Sequence, residues 1–251
     1  SVKYIELMDE YGLLENIFPI IKEMKKSARK FYYHPKGLFQ HTMLTLDSIE
    51  KILNDTGKYF KVSNADLLKH LDVNYSENVN KKNLLKFIAL FHDCAKPDCA
   101  KKVDGKLRFL DHENIGADKI EVIMQRMKMG KKEIQYAKNI VSSHMRPSNL
   151  LKTGTATERA KLRLFRDIAE NIPDLLIMAL ADWHSYKNLK VYSKKILEMQ
   201  QNKVSKFIDD YFETSKKISE PKIIDGNVLM KKLSLKPSKI IGELLKIIKE
   251  K

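Results

Sequence analysis

With 251 residues, 43% of them apolar and 31% charged, the chain suits one well-buried domain with an appendage, or two small domains. Its densest apolar run is flanked by Asp174 and Asp182 and is far too short for a membrane span, which excludes a membrane partner. The formal net charge of +15 admits two readings: a surface for polyanions, or the lysine bias that an AT-rich genome gives any protein, Arg being scarce. Two cysteines, Cys94 and Cys99, are too few for a disulfide framework and match no common zinc spacing. They read as reduced thiols of a cytoplasmic protein. The opening SVKYIELMDE has neither the layout of a secretion signal nor a starting Met, which leaves open that the chain is a fragment of something longer.

The periodicity is helical nearly throughout. Apolar residues recur at three- and four-residue steps in Leu84–Ile88–Phe91, Ile120–Ile123–Met127 and Leu175–Met178–Ala179. In chain order, a helix is expected from Gly37 to about residue 54. A polar stretch over 55–82 follows, read as an exposed loop with one short helix near 66–71 and an exposed His70. A helix over 81–92 is ended by Pro97, and a turn at Asp104–Gly105 leads to a helix over 111–129. Gly130 precedes a helix over 131–144, which Pro147 closes. Helices near 157–171 and 174–210 are separated by Pro173, the second broken before Lys194. The last segment, from Pro221, reads as two short helices flanking Lys236–Pro237. The fold class is all-α, a multi-helix bundle with a small helical C-terminal extension. The chain divides into an N-terminal helical segment (1–34), a central domain (35–190) and the extension (191–251).

The positions of certain His and Asp residues in this pattern carry chemistry. His41 lies in the first turns of its helix, and His92 and Asp93 end theirs. His112 opens a helix, His144 closes one, and Asp182 follows an apolar run. Five helices can thus each aim one end at a common centre. Imidazole with carboxylate is a ligand set for Mn, Fe, Co, Ni or Zn, whereas carboxylate alone favours Mg. Taken singly, each residue has a plainer reading as a hydrogen-bonded core or surface group. His34, His70 and His184 fall outside the pattern. Trp183 and His184 beside Asp182, and the pair Tyr32–Tyr33, can line a base pocket or simply close the core.

The blocks GLFQHTMLTLDSIEKI, FIALFHDCAKP, FLDHENIGADKI, VSSHMRPSNL and LIMALADWHS stand in the order found in the HD superfamily of metal-dependent phosphohydrolases, which the chain resembles. FHDCAKP is similar to the family's usual HDIGKP, with Cys94 and Ala95 replacing the middle pair. The resemblance implies an HD-domain bundle holding two divalent ions (Mn, Ni, Fe, Co or Mg). One would take His41, His92 and Asp182, the other His112 and His144, with Asp93 between them. It also implies catalytic roles for Asp93 and for Lys96, a phosphate or hydroxide partner. Arg146 is a further phosphate candidate, or alternatively a cation at a helix C-terminus. Glu113 is either a support for His112 or a helix N-terminal acid.

A longer resemblance takes in YGLLENIFPIIKEMK, the HTMLTLDSI and FLDHENIGA blocks and the closing IIDGNVLMKKLSLKPSKIIGELLKIIKE. These are similar to the C-terminal half of bacterial tRNA nucleotidyltransferases, the CCA-adding enzymes. Ser238 and Lys239 depart from the Gly-Pro common there, the stretch 55–82 is long, and the nucleotidyltransferase head is not in this sequence. The expectation is therefore a phosphohydrolase or phosphodiesterase acting on a nucleotide or an RNA 3′ end. The alternative is an RNA-binding body and tail that grips tRNA. Residues 55–82 and 94–111 are expected to shape substrate access.

Overall fold

The computed structural model describes residues 1–27, 34, 36–77, 79–152, 157–186, 193–219, 226–233, 238 and 240–244. Three short helices open the chain: α1 (Val2–Glu10), α2 (Leu13–Ile17) and α3 (Ile20–Lys26). The long α4 (Leu38–Asn54) follows, then α5 (Thr56–Tyr59), α6 (Asn64–Leu71) and a hairpin of β1 (Asn74–Ser76) and β2 (Val79–Asn80). Next come α7 (Lys81–Phe91), α8 (Lys96–Cys99) and a second hairpin, β3 (Ala100–Val103) with β4 (Lys106–Phe109). The succession α9 (His112–Arg126), α10 (Lys131–Ser143), α11 (Met145–Lys152), α12 (Glu158–Ile168) and α13 (Ile172–Ser185) completes the bundle. A 3₁₀ turn (Ala169–Asn171) joins α12 to α13, and α14 (Lys194–Ser219) and α15 (Gly226–Leu233) follow. The fold is an all-α bundle with two small antiparallel hairpins. No described helix is long and apolar enough to cross a membrane.

Residues 1–211 form one compact unit and residues 212–251 another. In the first, α13 is buried on nearly every side, from Ile172 to Ala181, which marks it as the central helix. It packs on α4, which packs on α7, while α9 pairs with α10. The buried hydroxyls of Thr42, Thr45 and Ser48 donate back to carbonyls one turn earlier on α4, at 3.1, 3.1 and 2.8 Å, so the helix enters the core with its polar groups satisfied. Gly116 on α9 is where a Cβ would stand 3.2 Å from a Val141 methyl and 3.6 Å from the His92 carbonyl, so α9 and α10 approach closely at this point and a larger residue would have to push Val141 aside. In the second unit the end of α14 and α15 are described, and Lys236–Pro237 lies outside the described residues.

Four expectations need correction. The stretch 55–82 carries the short helix expected near 66–71, as α6, but the rest is not an exposed loop: it adds α5 and a hairpin, and the stretch buries Phe60, Leu67 and Leu71 completely. Prolines open helices here rather than ending them. Pro97 and Pro173 stand in the first turns of α8 and α13, and Pro147 in the first turn of α11, where a missing N–H costs nothing. The turn at Asp104–Gly105 is present, but it joins two strands; both residues have positive φ, as a two-residue hairpin of this twist requires.

His70, expected at the surface, belongs to a buried polar cluster. Its Nε2 lies 2.6 Å from Asp174 Oδ2, and Lys81 Nζ reaches the same oxygen at 3.2 Å. Asp174 has no exposure and Lys81 is buried over the Tyr136 ring, 5.6 Å from its centroid. Burial, then Asp174, pushes the Tyr136 hydroxyl far above its ordinary pKa. Asp174→Asn strands the Lys81 ammonium without its buried counter-charge. The expected loss is about 3–5 kcal/mol of unfolding free energy in a urea titration; a loss below about 1 kcal/mol would mean the pair behaves as a surface one.

Candidate metal centre

Six side chains from five helices meet at one buried carboxylate. Asp93 sits in the turn after α7, where the chain leaves the helix, so both His92 and Asp93 turn inward. Asp93 Oδ2 faces His41 Nε2 at 3.3 Å and His92 Nε2 at 3.2 Å. Its Oδ1 faces His112 Nε2 at 3.3 Å and His144 Nε2 at 3.5 Å. Asp182, in the last turn of α13, brings Oδ1 to 3.1 Å from His41 Nε2 and 3.9 Å from His92 Nε2. The Lys96 ammonium, also buried, stands 2.6 Å from Asp93 Oδ2.

The other nitrogen of each imidazole is engaged. Nδ1 of His92, His112 and His144 lies 2.9, 2.7 and 2.7 Å from the carbonyls of Ala89, Phe109 and Val141. A carbonyl only accepts, so each Nδ1 donates and each Nε2 keeps its lone pair for the centre. For His41 the partner is Ser185: its hydroxyl donates to the Asp182 carbonyl at 2.6 Å and accepts from His41 Nδ1 at 2.9 Å. Four Nε2 atoms and two carboxylates thus converge, with His112 and His144 Nε2 only 3.3 Å apart. Nε2 of His41 and His92 and Oδ1 of Asp93 are buried without a hydrogen-bond partner among the described residues. That donor set fits divalent metal, which would satisfy all of these atoms at once.

Charges follow the same geometry. Burial alone would raise the Asp93 carboxyl, but His92, Lys96, His112 and His144 hold it well below its usual range. Burial likewise opposes ionisation of Asp182, yet His41 and then His92 bring it down to about 2. His41 and His112 are desolvated, but the neighbouring carboxylates raise both above ordinary imidazole, whereas burial wins at His144 and lowers it.

Among the described residues, three groups of side chains have ligand atoms within 4.8 Å of one another: His41, His92 and Asp182; Asp93, His112 and His144; and His34, His41 and Asp93. A family model described as the HD domain matches residues 38–187, from the first residue of α4 to just past α13. The chain belongs to the HD domain family. Its clustered ligands make the site that of a metal-dependent phosphohydrolase. Among curated proteins it is similar to the A-adding tRNA nucleotidyltransferase of Deinococcus radiodurans, with 25% identity over 254 residues. The alignment takes in all of this chain and 50% of that protein, so the chain spans half the length of the relative it matches.

Within this HD domain the six residues singled out from the sequence as ligands all come together, and so does Lys96. Arg146 does not: it leaves the centre and pairs with Asp167 at 2.8 Å. Glu113 Oε2 reaches His112 Nδ1 at 3.2 Å. Trp183 is core, 2% exposed, His184 meets Tyr59, and Tyr32 and Tyr33 lie outside the described residues. Cys94 and Cys99 are buried free thiols, Cys94 pushed by burial up to about 12.

Sequence reasoning missed three groups around His41. The His34 ring stacks on it with centroids 4.1 Å apart, and Tyr186 stacks at 5.3 Å while its hydroxyl donates to Asp182 at 3.2 Å. Burial and the neighbouring His41 keep His34 neutral, well below the ordinary imidazole range. Ser185 and Tyr186 follow Asp182 by three and four residues, one helical turn, a spacing that points them to the same face. His34 carries no such signal, because it precedes the helix that holds His41.

Ser185→Ala removes the acceptor that orients His41, so Mn affinity measured by titration calorimetry is expected to fall about tenfold. Unchanged affinity would show that His41 is held without it. Protons and metal compete for the same Nε2 atoms. Because His41 and His112 are raised, Mn affinity should fall as the pH drops from about 8 to about 6, beginning above the ordinary imidazole pKa. Equilibrium dialysis across that range checks it, and a flat profile would count against these ligands.

Proposed function

We propose that the chain hydrolyses a phosphate ester of a nucleotide or an RNA 3′ end at a dinuclear centre. The observation that carries this reading is the division of the Asp93 carboxylate, Oδ2 toward His41 and His92 and Oδ1 toward His112 and His144. On this reading His41, His92 and Asp182 hold one ion, His112 and His144 the other, and Asp93 both. When bound, two such ions supply Lewis acidity, acidifying water and offsetting phosphate charge.

The chain's own residues have distinct tasks in that scheme. Asp93 stays anionic because four cationic or imidazole neighbours surround it. Lys96 keeps an ammonium at the centre's edge, positioned to donate to a phosphate oxygen as charge develops there. Asp182 is the most open of the carboxylates, its side chain 15% exposed against 1% for Asp93, so substrate approaches from its side. Arg146, beside the segment that delivers His144, contacts a phosphate further along the substrate. Residues 35–190 make up this catalytic domain in our reading, after the N-terminal segment 1–34, and 191–251 form the extension.

A second reading rests on the alignment along the whole chain with half of a tRNA nucleotidyltransferase, together with the net charge of +15. Here the chain is the tRNA-gripping body and tail portion of a nucleotidyltransferase-like protein. The two readings are compatible.

His92→Ala should abolish Mn- or Ni-dependent hydrolysis of nucleotide and RNA 3′-phosphate substrates, and Lys96→Ala should lower kcat about 100-fold. Circular dichroism controls for folding. Wild-type rates in both variants would refute the hydrolase, and failure to shift tRNA in a low-salt gel would refute the second reading.

A further inference from the structure

Four of the chain's seven arginines, Arg146, Arg159, Arg163 and Arg166, fall within 21 residues, against a background in which almost every other cation is Lys. Three of them, Arg146, Arg159 and Arg163, line one cleft of about 410 Å³ between α11 and α12, together with Asn149 and Thr157. That volume is in the range of ligand sites. No carboxylate lines the cleft among the described residues.

The charges there are not all offset locally. Asp167 takes Arg146 at 2.8 Å and Arg166 at 2.9 Å, a single carboxylate shared by two guanidinium groups. Arg159 and Arg163 have no acidic partner among the described residues, are exposed, and stand one turn apart on the same face of α12. Gathering like charges around one opening costs Coulomb energy that dispersing them would avoid. A bound anion reverses the sign of that energy, and the planar guanidinium matches phosphate oxygens two at a time. The cleft on α14 makes the contrast: it is lined by Lys195, Lys203 and Lys206 but also by Glu198.

Position narrows the ligand. Arg146 follows the ligand-bearing His144 by two residues, at most about 7 Å of chain. Residues two apart on helical backbone point to different faces, and His144 turns to Asp93 while Arg146 turns to Asp167. The metal centre and the arginine cleft therefore occupy different faces of one short segment. A ligand engaging both must present phosphates to two different faces of that segment, as an RNA strand can. We propose that this cleft binds a phosphate of an RNA strand other than the one hydrolysed, making it a second, metal-independent phosphate site. The inference rests on the hydrolase reading for its substrate, but its test does not.

The test is fluorescence anisotropy with a labelled single-stranded RNA ending in a 3′-phosphate, in EDTA so that nothing turns over. Arg159→Ala/Arg163→Ala is expected to raise Kd about tenfold near 0.1 M salt and to flatten the log Kd against log salt slope by about 1.4, two phosphate contacts on a single strand. Both side chains are exposed, so folding is not at risk. Lys195→Ala/Lys206→Ala removes the same charge from α14 and is expected to change Kd less than twofold. Equal losses in both double variants, an unchanged Kd in the arginine variant, or no RNA binding by the wild type each overturns the proposal. Turnover of the same RNA with Mn is read separately. Its absence in the wild type would sink the hydrolase reading and leave the binding result standing.

Discussion

A carboxylate with 1% of its surface exposed has to be matched by positive charge or hydrogen bonds, or it will not ionise. Asp93 is matched on every side, by four imidazoles and the Lys96 ammonium. The bundle is arranged around that requirement, since its ligands come from α4, α9, α13 and the ends of α7 and α10. Two carboxylates facing four imidazoles and one ammonium make a donor set that a divalent cation would suit.

Helix ends are where such a centre is easily built. The last carbonyls of a helix have no partner within it. At the ends of α7 and α10 the carbonyls of Ala89 and Val141 accept from the Nδ1 of His92 and His144, so one bond caps the helix and fixes the tautomer. His41 has no such carbonyl available near the start of α4 and takes Ser185 instead, which ties α4 to the end of α13. The opposite half of α13 is held by Asp174 in its cluster with His70 and Lys81. Eight residues, about 12 Å of helix, separate Asp174 from Asp182. Stability and site geometry therefore share one element: α13 is pinned at one end and presents a ligand at the other.

The parts of the fold that sequence reasoning read well are those governed by local rules. Leu84, Ile88 and Phe91 lie on one buried stripe as their spacing requires, and Asp104–Gly105 makes the turn its residue types favour. The misreadings have equally local causes. In residues 55–82 the polar background hides Phe60, and although Leu67 and Leu71 stand at helical spacing and mark the short helix, two residues are too few to show that its face is buried. The β3–β4 hairpin buries no residue, β3 being exposed throughout, so it leaves no apolar alternation in the sequence of β3. A proline marks a boundary without saying which side of it is helical, and at Pro97, Pro147 and Pro173 the helix lies after it.

The order and types of His41, His92–Asp93, His112, His144 and Asp182 are properties of the sequence, and they were enough to name a candidate ligand set and the family the chain resembles. Their placement at helix ends was legible too, because capping and periodicity act over a few residues. The rest was set by packing between elements distant in the chain. It assigns one Asp93 oxygen to each pair of imidazoles, brings Ser185, Tyr186 and His34 against His41, and turns Arg146 away from His144 toward Asp167. No local rule contains those choices, since each is a contact between side chains whose separation is decided only when α4, α10, α12 and α13 close on one another.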